Sequence, residues 1–291
     1  MNNLSLYIAL RYFRSKKSGF VSMVSTMGFL GISIGVAVLI LVTSVMNGFQ
    51  KELETRILQA VPHASIEGNI RSKDVNKIDL QLKLNKNYLG SAPYIETQGL
   101  LSSKYALKGI FILGVEPSKE SLISIIDNNI IDGTWESLEE DGYNLLIGKL
   151  LAIQLGVRVG DRVNVLVPSV SASLTGMLPR TKQFIVSGIF SIGAPELDDS
   201  FAYMSLKNSS KLLKMKGFVH GVRVSYQDLF SAPIEIKKDL FLVNNSLGLS
   251  LNSSDWTYSY GTLFKAIKNE KFLVSLLLVS IVLVSIFSVV T

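Results

Sequence analysis

The residues in this sequence that could do chemistry are few. The chain has two histidines, His63 and His220, and no cysteine. Disulfides, thiolate metal sites, iron–sulfur clusters and a cysteine nucleophile are therefore excluded, and two histidines cannot build a multi-histidine metal site within one chain. Neither histidine has a recognisable nucleophile partner such as a Gly-x-Ser-x-Gly elbow. His63 follows Pro62 at a predicted helix end, which indicates a surface or capping residue rather than a catalytic base.

Two further motifs could be mistaken for catalytic groups. Gly148-Lys149-Leu150 lacks the glycine spacing and the hydroxyl residue of a phosphate-binding loop, so the chain does not hydrolyse ATP by that route. Asp198 and Asp199 are adjacent, but neighbouring side chains on a strand point to opposite faces, and we expect a solvated turn. The sequence thus predicts no catalytic residue, no metal site and no cofactor.

Two uncharged segments predict membrane helices. No charged residue occurs from Ser18 to Gln50, and the stretch 27–46 is apolar enough for a helix of ~30 Å, the thickness of a bilayer core. A cleavable signal peptide is the alternative, but its apolar region is shorter and ends in a small-residue cleavage site, which Met46-Asn47-Gly48-Phe49 does not provide. The second segment, Phe272 to Thr291, is rich in Leu, Val and Ile.

Positive charge is concentrated before the first span. Residues 1–51 contain five basic residues and no acidic one, whereas the whole chain has 29 Lys and Arg against 23 Asp and Glu. Basic residues before a first span place the N-terminus in the cytoplasm, so the domain that follows is expected outside. Lys265, Lys268 and Lys271, on the outer side of the second span, weigh mildly against this orientation. The nearly neutral body also argues against nucleic acid as a partner.

The segment between the spans predicts a mixed α/β domain. Short β-prone runs occur at 64–67, 108–115, 162–167 and 183–190, and helical patterns occur at 118–126, 145–155 and 206–215. Residues 51–61 predict a helical continuation of the first span that Pro62 ends. We therefore expect an α+β membrane protein in three parts: 1–50 as tail and first span, 51–264 as the outer domain, and 265–291 as the second span.

One loop of this domain is unusual. Alternating valines at 157, 159, 163, 165 and 167 surround the turn Gly160-Asp161 and predict strands, and Phe184, Val186 and Ile189 predict the strand that pairs with them. Between these arms, the twelve residues Pro168 to Pro179 carry no charge and are too long for an ordinary tight hairpin.

The apolar residues of this loop would lie at the exposed tip of a β-arm, which indicates a partner. They are Val170, Leu174, Met177 and Leu178. A loop folded back on its own domain is an equal alternative. Arg180 and Lys182 at the loop exit could steer an acidic partner or be solvated strand ends.

Glycines in the first span suggest a helix-packing face. Gly28, Gly31 and Gly35 lie in this segment, and Gly31 with Gly35 forms a GxxxG pair that lets a neighbouring helix approach closely. The alternative is that glycine is simply common in membrane helices.

Three classes of function fit these features. They are a permease subunit driven by an external motor, a two-span receptor or scaffold, and a membrane-anchored periplasmic enzyme. A receptor would carry an inner signalling domain, and an enzyme would carry convergent polar chemistry; the sequence to Thr291 contains neither pattern.

Linked motifs over essentially the whole chain resemble the LolC/LolE transmembrane subunits of the lipoprotein-releasing ABC transporter. The N-terminal ones are Leu10-Arg11-Tyr12-Phe13-Arg14, Gly31-Ile32-Ser33-Ile34-Gly35-Val36, Ser44-Val45-Met46-Asn47-Gly48-Phe49 with Glu52-Leu53, Arg56-Ile57-Leu58 and Val61-Pro62-His63. The later ones are Ala92-Pro93-Tyr94-Ile95, Ile147-Gly148-Lys149, Leu155-Gly156-Val157 with Gly160-Asp161, Leu197-Asp198, and Trp256 to Lys271.

The resemblance implies a multi-pass permease of the Gram-negative inner membrane with a periplasmic domain of the MacB-like core type. Such a subunit takes triacylated lipoproteins from the outer leaflet and passes them to a LolA-type periplasmic carrier. ATP is bound by a separate LolD-type ATPase, which fits the missing phosphate loop and distinguishes the chain from MacB pumps. Mixed LolC and LolE features suggest a hybrid LolF-type subunit. Such a subunit would pair either with a second LolC/LolE-type permease or with another copy of this chain. A MacB/FtsX-type mechanotransmission protein and a two-span scaffold are the alternatives.

The resemblance also implies site residues. Pro168 to Pro179 corresponds to the hook that captures the carrier, with Arg180 and Lys182 near its adjoining pad. The acyl chains would enter a cavity at the outer ends of the spans, lined by Met46 and Phe49 and, opposite, by Phe264 and Ile267; packing against neighbouring helices is the alternative role. Because family members continue through an ATPase-coupling segment and further spans, we expect this chain to be C-terminally truncated at Thr291, and a chain ending there to lack productive ATP coupling.

Overall fold

The computed structural model describes Tyr7, Arg11 and residues 19–56, 62–168 and 179–290. The chain divides into two compact units, and each is considered by itself. We call Met1–Lys51 with Leu263–Thr291 the helix unit, and Glu52–Thr262 the α/β unit.

Two long helices supply the helix unit. Helix α1 (Gly19–Arg56) contains the first predicted span. Its residues 28–51 include an 18-residue window with a mean hydropathy of 2.5 and are long and apolar enough to cross a membrane. Among the residues that the structure describes, this is the one segment that meets both criteria. Helix α8 (Trp256–Val290) includes the second uncharged segment, so its helical character is confirmed while its role as a span stays a prediction.

The α/β unit is built on one ten-stranded sheet. The strands are β1 (Ala64–Arg71), β2 (Tyr88–Ser102), β3 (Leu107–Val115), β4 (Ile130–Gly133), β5 (Asn144–Gly148), β6 (Arg162–Val167), β7 (Arg180–Phe190), β8 (Phe201–Ser205), β9 (Phe218–Tyr226) and β10 (Asn252–Asp255). Their order is β10-β1-β9-β2-β3-β8-β5-β7-β4, with β6 pairing β2 and β7. The pairs β3–β8 and β5–β7 are parallel, and the others are antiparallel.

Helices cover this sheet. They are α2 (Ser72–Leu82), α3 (Pro117–Glu120), α4 (Lys149–Leu155), α5 (Pro195–Ser200), α6 (Leu206–Leu213) and α7 (Ala232–Leu247). Helix α2 buries Val75, Ile78 and Leu82, at the spacing that puts apolar residues on one helical face. Ser205 caps α6 by accepting a hydrogen bond from the Asn208 amide.

Several predicted elements are confirmed with adjusted bounds. The four predicted β runs are parts of β1, β3, β6 and β7, and the helical run 206–215 is α6. The continuation of the first span is helical to Arg56, and residues 57–61 lie outside the described part of the chain. The predicted mixed α/β architecture is therefore confirmed.

Other boundaries were predicted wrongly. The run 145–155 is a strand followed by a helix, because Leu145, Leu146 and Ile147 are all buried in a central strand and their pattern cannot be told from a buried helix. Residues 118–126 form only one helical turn, which ends at Glu120. Residues 157–161 form a turn rather than a strand, in which Asp161 Oδ2 accepts the Arg158 amide at 2.8 Å.

Candidate functional site

Both histidines hold the backbone of the sheet. His63 Nδ1 accepts the Tyr226 amide at 3.1 Å, and His220 Nδ1 accepts the Glu96 amide at 3.1 Å. Burial lowers the pKa of the His63 imidazole below its ordinary value, and the neutral ring is the form whose Nδ1 can accept. The sequence predicted a surface or capping residue at a helix end, whereas the partly buried His63 ring instead accepts the amide of the last residue of β9.

The adjacent carboxylates have different environments. Asp198 is 4% exposed and accepts the amides of Ile192 at 2.9 Å and Gly193 at 3.1 Å. The predicted solvated turn is wrong for this residue, because α5 turns the Asp198 side chain inward onto the 191–193 loop. Asp199 accepts a hydrogen bond from Gln154 at the surface instead.

The Gly148-Lys149 pair also has a structural explanation. A Cβ at Gly148 would lie 2.2 Å from the carbonyl oxygen of Asp198, so only glycine allows α5 to approach the end of β5. Within the described ranges, no group of three or more His, Cys, Asp or Glu side chains is placed to hold a metal ion. The residues that could have done chemistry are used in packing and backbone hydrogen bonding.

The hairpin predicted to carry the loop is present. Strands β6 and β7 pair antiparallel from Arg162↔Ile185 to Val167↔Arg180, so the chain leaves and re-enters the sheet at neighbouring positions. Pro168 and Pro179 are exposed directly beyond the last pair. The predicted tip residues Val170, Leu174, Met177 and Leu178 lie outside the described residues, and their role stays a prediction.

A third strand supports the base of this hairpin. Strand β2 pairs with β6 from Leu100↔Leu166 to Ser102↔Asn164. A Cβ at Gly99 would lie 2.6 Å from the Leu166 carbonyl oxygen, so glycine permits this close backbone approach. The base of this hairpin, formed by β6, β7 and residues 100–102 of β2 and called the arm base below, is therefore part of the sheet itself.

The two cations at the loop exit are held by specific partners. Arg180 Nη1 donates to the Leu212 carbonyl at 3.3 Å, in the last turn of α6, where the helix dipole favours a positive charge. The Lys182 ammonium lies 4.1 Å from the centre of the Tyr143 ring, which packs edge-on against Phe184. Both cations are thus positioned at the arm base, and Lys182 remains exposed.

In the helix unit, α1 presents one face of reduced exposure. The positions recur every three or four residues, which is the spacing of a helix-packing seam. They are Gly28, Ile32, Gly35, Leu39, Thr43, Met46 and Gln50. Of the three predicted packing glycines, Gly28 and Gly35 lie on this face and Gly31 lies off it.

Helix α8 presents a comparable face. Its less exposed positions between 263 and 284 are Phe264, Ile267, Lys271, Val274 and Ile281. A Cβ at Gly35 would lie 3.7 Å from Ile281 Cδ1, whereas a Cβ at Gly31 would meet nothing within 4 Å. Gly35 and Ile281 therefore bring the two helices close together.

The predicted acyl-cavity residues are divided between these faces and the exposed surface. Met46, Phe264 and Ile267 lie on the seams, and Ile267 is 5% exposed. Phe49 is 53% exposed and lies off the α1 seam. Thr43 and Gln50 also lie on the α1 seam, but the sequence analysis did not identify them as seam residues. Polar side chains that recur at helix-packing spacing within an apolar span are a signal that could have identified them.

Comparisons with known proteins place the chain in a family. Residues 25–232 match the family described as MacB-like periplasmic core domain. The lipoprotein-releasing system transmembrane protein LolC of Xylella fastidiosa strain 9a5c is 36% identical over 292 residues, which cover 100% of this chain and 69% of that protein. The corresponding protein LolE of Haemophilus influenzae is 28% identical over 296 residues, covering 99% and 70%.

Among solved structures, the chain is similar to the periplasmic region of MacB from Actinobacillus actinomycetemcomitans. That structure is 12% identical, has a TM-score of 0.44, and covers 75% of this chain and 98% of that one. The family match and the LolC and LolE relatives do not depend on this likeness. The chain belongs to the LolC/LolE family of lipoprotein-releasing system transmembrane proteins, and it carries a MacB-like periplasmic core domain.

Proposed function

We propose that this chain is a non-catalytic permease subunit of an ABC transporter that extracts mature lipoproteins from the inner membrane and hands them to a periplasmic carrier. The observation that carries the proposal is the identity with LolC relatives along the entire chain, through both the apolar helices and the sheet. The α/β unit lies in the periplasm, and the N-terminus lies in the cytoplasm.

The arm base supports the hand-over step. The loop Pro168 to Pro179 joins the paired residues Val167 and Arg180, which lie at the end of a three-stranded base. Arg180 and Lys182 lie beside this exit. An apolar loop next to fixed cations suits an acidic carrier with an exposed apolar groove, because charge guides the encounter and apolar contact holds it.

The helix unit supports the extraction step. Met46 and Ile267 lie on seams that would face an acyl chain if the two helices separated at their outer ends. Each buried CH₂ group contributes ~0.8 kcal/mol to membrane attachment. Three acyl chains therefore hold a lipoprotein firmly, and extraction needs a separate LolD-type ATPase and a second permease subunit or second copy of this chain.

Co-purification of cargo tests the proposal. The tagged chain is extracted in mild detergent from cells that make a triacylated lipoprotein, and the bound acylated N-terminal peptide is measured by mass spectrometry. We expect a stoichiometric acylated peptide with the natural chain. Replacing Met46 and Ile267 by Ser should reduce it several-fold, since apolar contact is lost.

The matched control replaces two exposed apolar residues of the same helices, Ile34 at 61% and Leu273 at 57% exposure, by Ser. This control should retain the cargo. An acylated peptide no more abundant than with an unrelated two-span protein would contradict the proposed function.

A further inference from the structure

Helices α2 and α7 lie side by side on the sheet and share an outer surface. Asn85, in the turn that follows α2, donates to Glu235 at 2.9 Å and to Asp239 at 3.0 Å on α7. Large apolar side chains are exposed on this surface, which we call the helix face. They are Leu80, Leu84, Ile234, Phe241 and Leu242, with exposures between 47% and 71%. Exposed apolar residues grouped on adjacent helices indicate a binding partner.

The helix face is basic. Residues 72–84 and 232–247 are all described, and their exposed charged residues are five lysines and no carboxylate. The lysines are Lys73, Lys77, Lys83, Lys237 and Lys238. Asp74, Asp79 and Glu235 pair with lysines of their own helix and keep only 18%, 26% and 15% of their side chains exposed, against 57–62% for those lysines. Asp239 is buried. The positive charge is therefore outermost.

A second surface of the same unit is acidic. No Lys or Arg occurs from 121 to 148, and residues 131–141, which we call the acidic segment, expose five carboxylates together with Ile131. The carboxylates are those of Asp132, Glu136, Glu139, Glu140 and Asp141. Lys207 approaches Asp141 at 3.5 Å, but both side chains are exposed, and a pair of this kind is weak. The acidic segment therefore keeps its negative charge.

The two surfaces are neighbours across one cleft. This cleft has a volume of about 610 Å³ and is lined by Ser72, at the start of α2, and by Glu139, Glu140 and Asp141. The acidic segment thus lies next to the end of α2 that carries Lys73 and Lys77.

Neighbouring surfaces of opposite charge suit a two-fold symmetric pair. In such a pair each contact occurs twice, with the roles of the two copies exchanged. A two-fold axis through the cleft would bring the helix face of each copy onto the acidic segment of the other, so the charges are complementary in both contacts. Two helix faces placed against each other would instead oppose lysines to lysines.

We propose that the helix face binds the acidic segment of a second copy of this chain. Lys73 and Lys77, the lysines closest in sequence to the cleft residue Ser72, meet Glu139 and Glu140 of the second copy, which also covers exposed apolar side chains of the helix face. The inference rests on the proposed function, which needs a second permease subunit or a second copy, and it names the surfaces that join them.

Cross-linking tests the contact, because the chain has no cysteine and a single introduced one is unique. Two differently tagged full chains, one with Asn76→Cys on α2 and one with Glu139→Cys, are made in the same cells and treated in their membranes with a short bismaleimide. We expect the mixed dimer. Asn76→Cys paired with itself, or with Tyr105→Cys at an 81% exposed position outside both surfaces, should give several-fold less.

Charge reversal tests the physical basis of the contact. Lys73→Glu/Lys77→Glu in both copies should lower the yield of the mixed dimer about tenfold, because like charges then meet in both contacts. Adding Glu140→Lys/Asp141→Lys to both copies should restore the yield, which a misfolded chain would not do.

The matched control for this reversal is Lys104→Glu/Lys149→Glu, which reverses two exposed lysines outside both surfaces and should leave the yield unchanged. Equal yields for the Asn76–Glu139 and Asn76–Asn76 pairs, or a yield that charge reversal does not alter, would overturn the inference. Cross-linking of Asn76→Cys to neither position would also overturn it, since the helix face would then have another occupant.

The cross-link is independent of lipid extraction. Cargo co-purification without the cross-link would reject this pairing and leave the proposed function standing, with a different permease as the second subunit. The cross-link without cargo co-purification would reject lipoprotein extraction and leave the pairing of the two copies.

Discussion

The helix unit and the α/β unit achieve specificity by different means. In the helix unit, the seam of α1 is set by the spacing of Gly28, Ile32, Gly35 and Leu39, and shape decides which positions approach α8. In the α/β unit, charged side chains are buried, among them Glu120, Asp198, Arg223 and Asp239. A seam of small and apolar residues tolerates volume-conserving changes, whereas a buried charge depends on its partner.

The buried polar groups tie distant elements of the sheet together. Asp239 on α7 accepts the Tyr226 hydroxyl at 2.7 Å and the Asn85 side-chain amide at 3.0 Å. Burial raises the pKa of the Asp239 carboxyl above its ordinary value. These bonds fix α7 to β9 and to the turn that follows α2, so the helical layer is set by polar contacts as well as by packing.

The largest effect should come from breaking the buried ion pair. Arg223→Met would leave Glu120 uncompensated in the interior and should lower the free energy of unfolding by roughly 3–5 kcal/mol. The double variant Glu120→Leu/Arg223→Met should recover most of this loss. Urea unfolding of the two variants measures the difference between their free energies of unfolding. Equal values would show that an uncompensated Glu120 does not destabilise the α/β unit.

The two adjacent aspartates should differ by a smaller amount. Asp198→Ala removes the acceptor of two backbone amides and should cost about 2 kcal/mol. Asp199→Ala is the matched control and should cost no more than about 0.5 kcal/mol, as is usual at a surface. Similar losses for the two variants in the same unfolding measurement would contradict the structural role of Asp198.

In the helix unit, side-chain size at one glycine should matter. Gly35→Leu would crowd Ile281, and we expect a loss of about 1 kcal/mol in stability toward titrated SDS. Gly31→Leu, where a Cβ meets nothing within 4 Å, should have little effect on the isolated chain. If Gly31→Leu were the more harmful variant, the seam would be placed on the wrong face.

The smallest expected effect is a pH dependence at His63. Burial lowers the pKa of this imidazole in the folded chain below the 6.5 of the unfolded chain, so the unfolded state binds more protons in that window. The contribution of neutral His63 to the free energy of unfolding is complete above pH 6.5. This contribution is lost as the pH falls from 6.5 toward the pKa of the folded chain. The variant His63→Asn keeps a hydrogen-bond acceptor at this position but has no titratable group there. Its unfolding midpoint should therefore change less between pH 7.5 and pH 5 than that of the natural chain.

What could be predicted from the sequence follows the same division. The length of α1 and its lack of charge up to Gln50 are local signals, as is the alternation of Val163, Val165 and Val167 in β6, and both elements were predicted. The Glu120–Arg223 pair was missed because it joins residues far apart in sequence that have no local signature. Asp198 was misjudged because its acceptor role depends on how α5 folds over the 191–193 loop.

The candidate site was predicted in outline. The hairpin, its position and the cations at its exit followed from alternation, proline and charge, whereas the Leu212 carbonyl and the Tyr143 ring that hold Arg180 and Lys182 required the tertiary structure.

Carrier capture by the arm tests the central claim most directly. Replacing Pro168–Pro179 by Asn-Gly would close the hairpin on the Val167↔Arg180 pair with a two-residue turn and leave its base intact. We predict that pull-down of a LolA-type carrier by this variant is lost while its unfolding midpoint stays unchanged. Undiminished pull-down by the shortened arm would contradict the account.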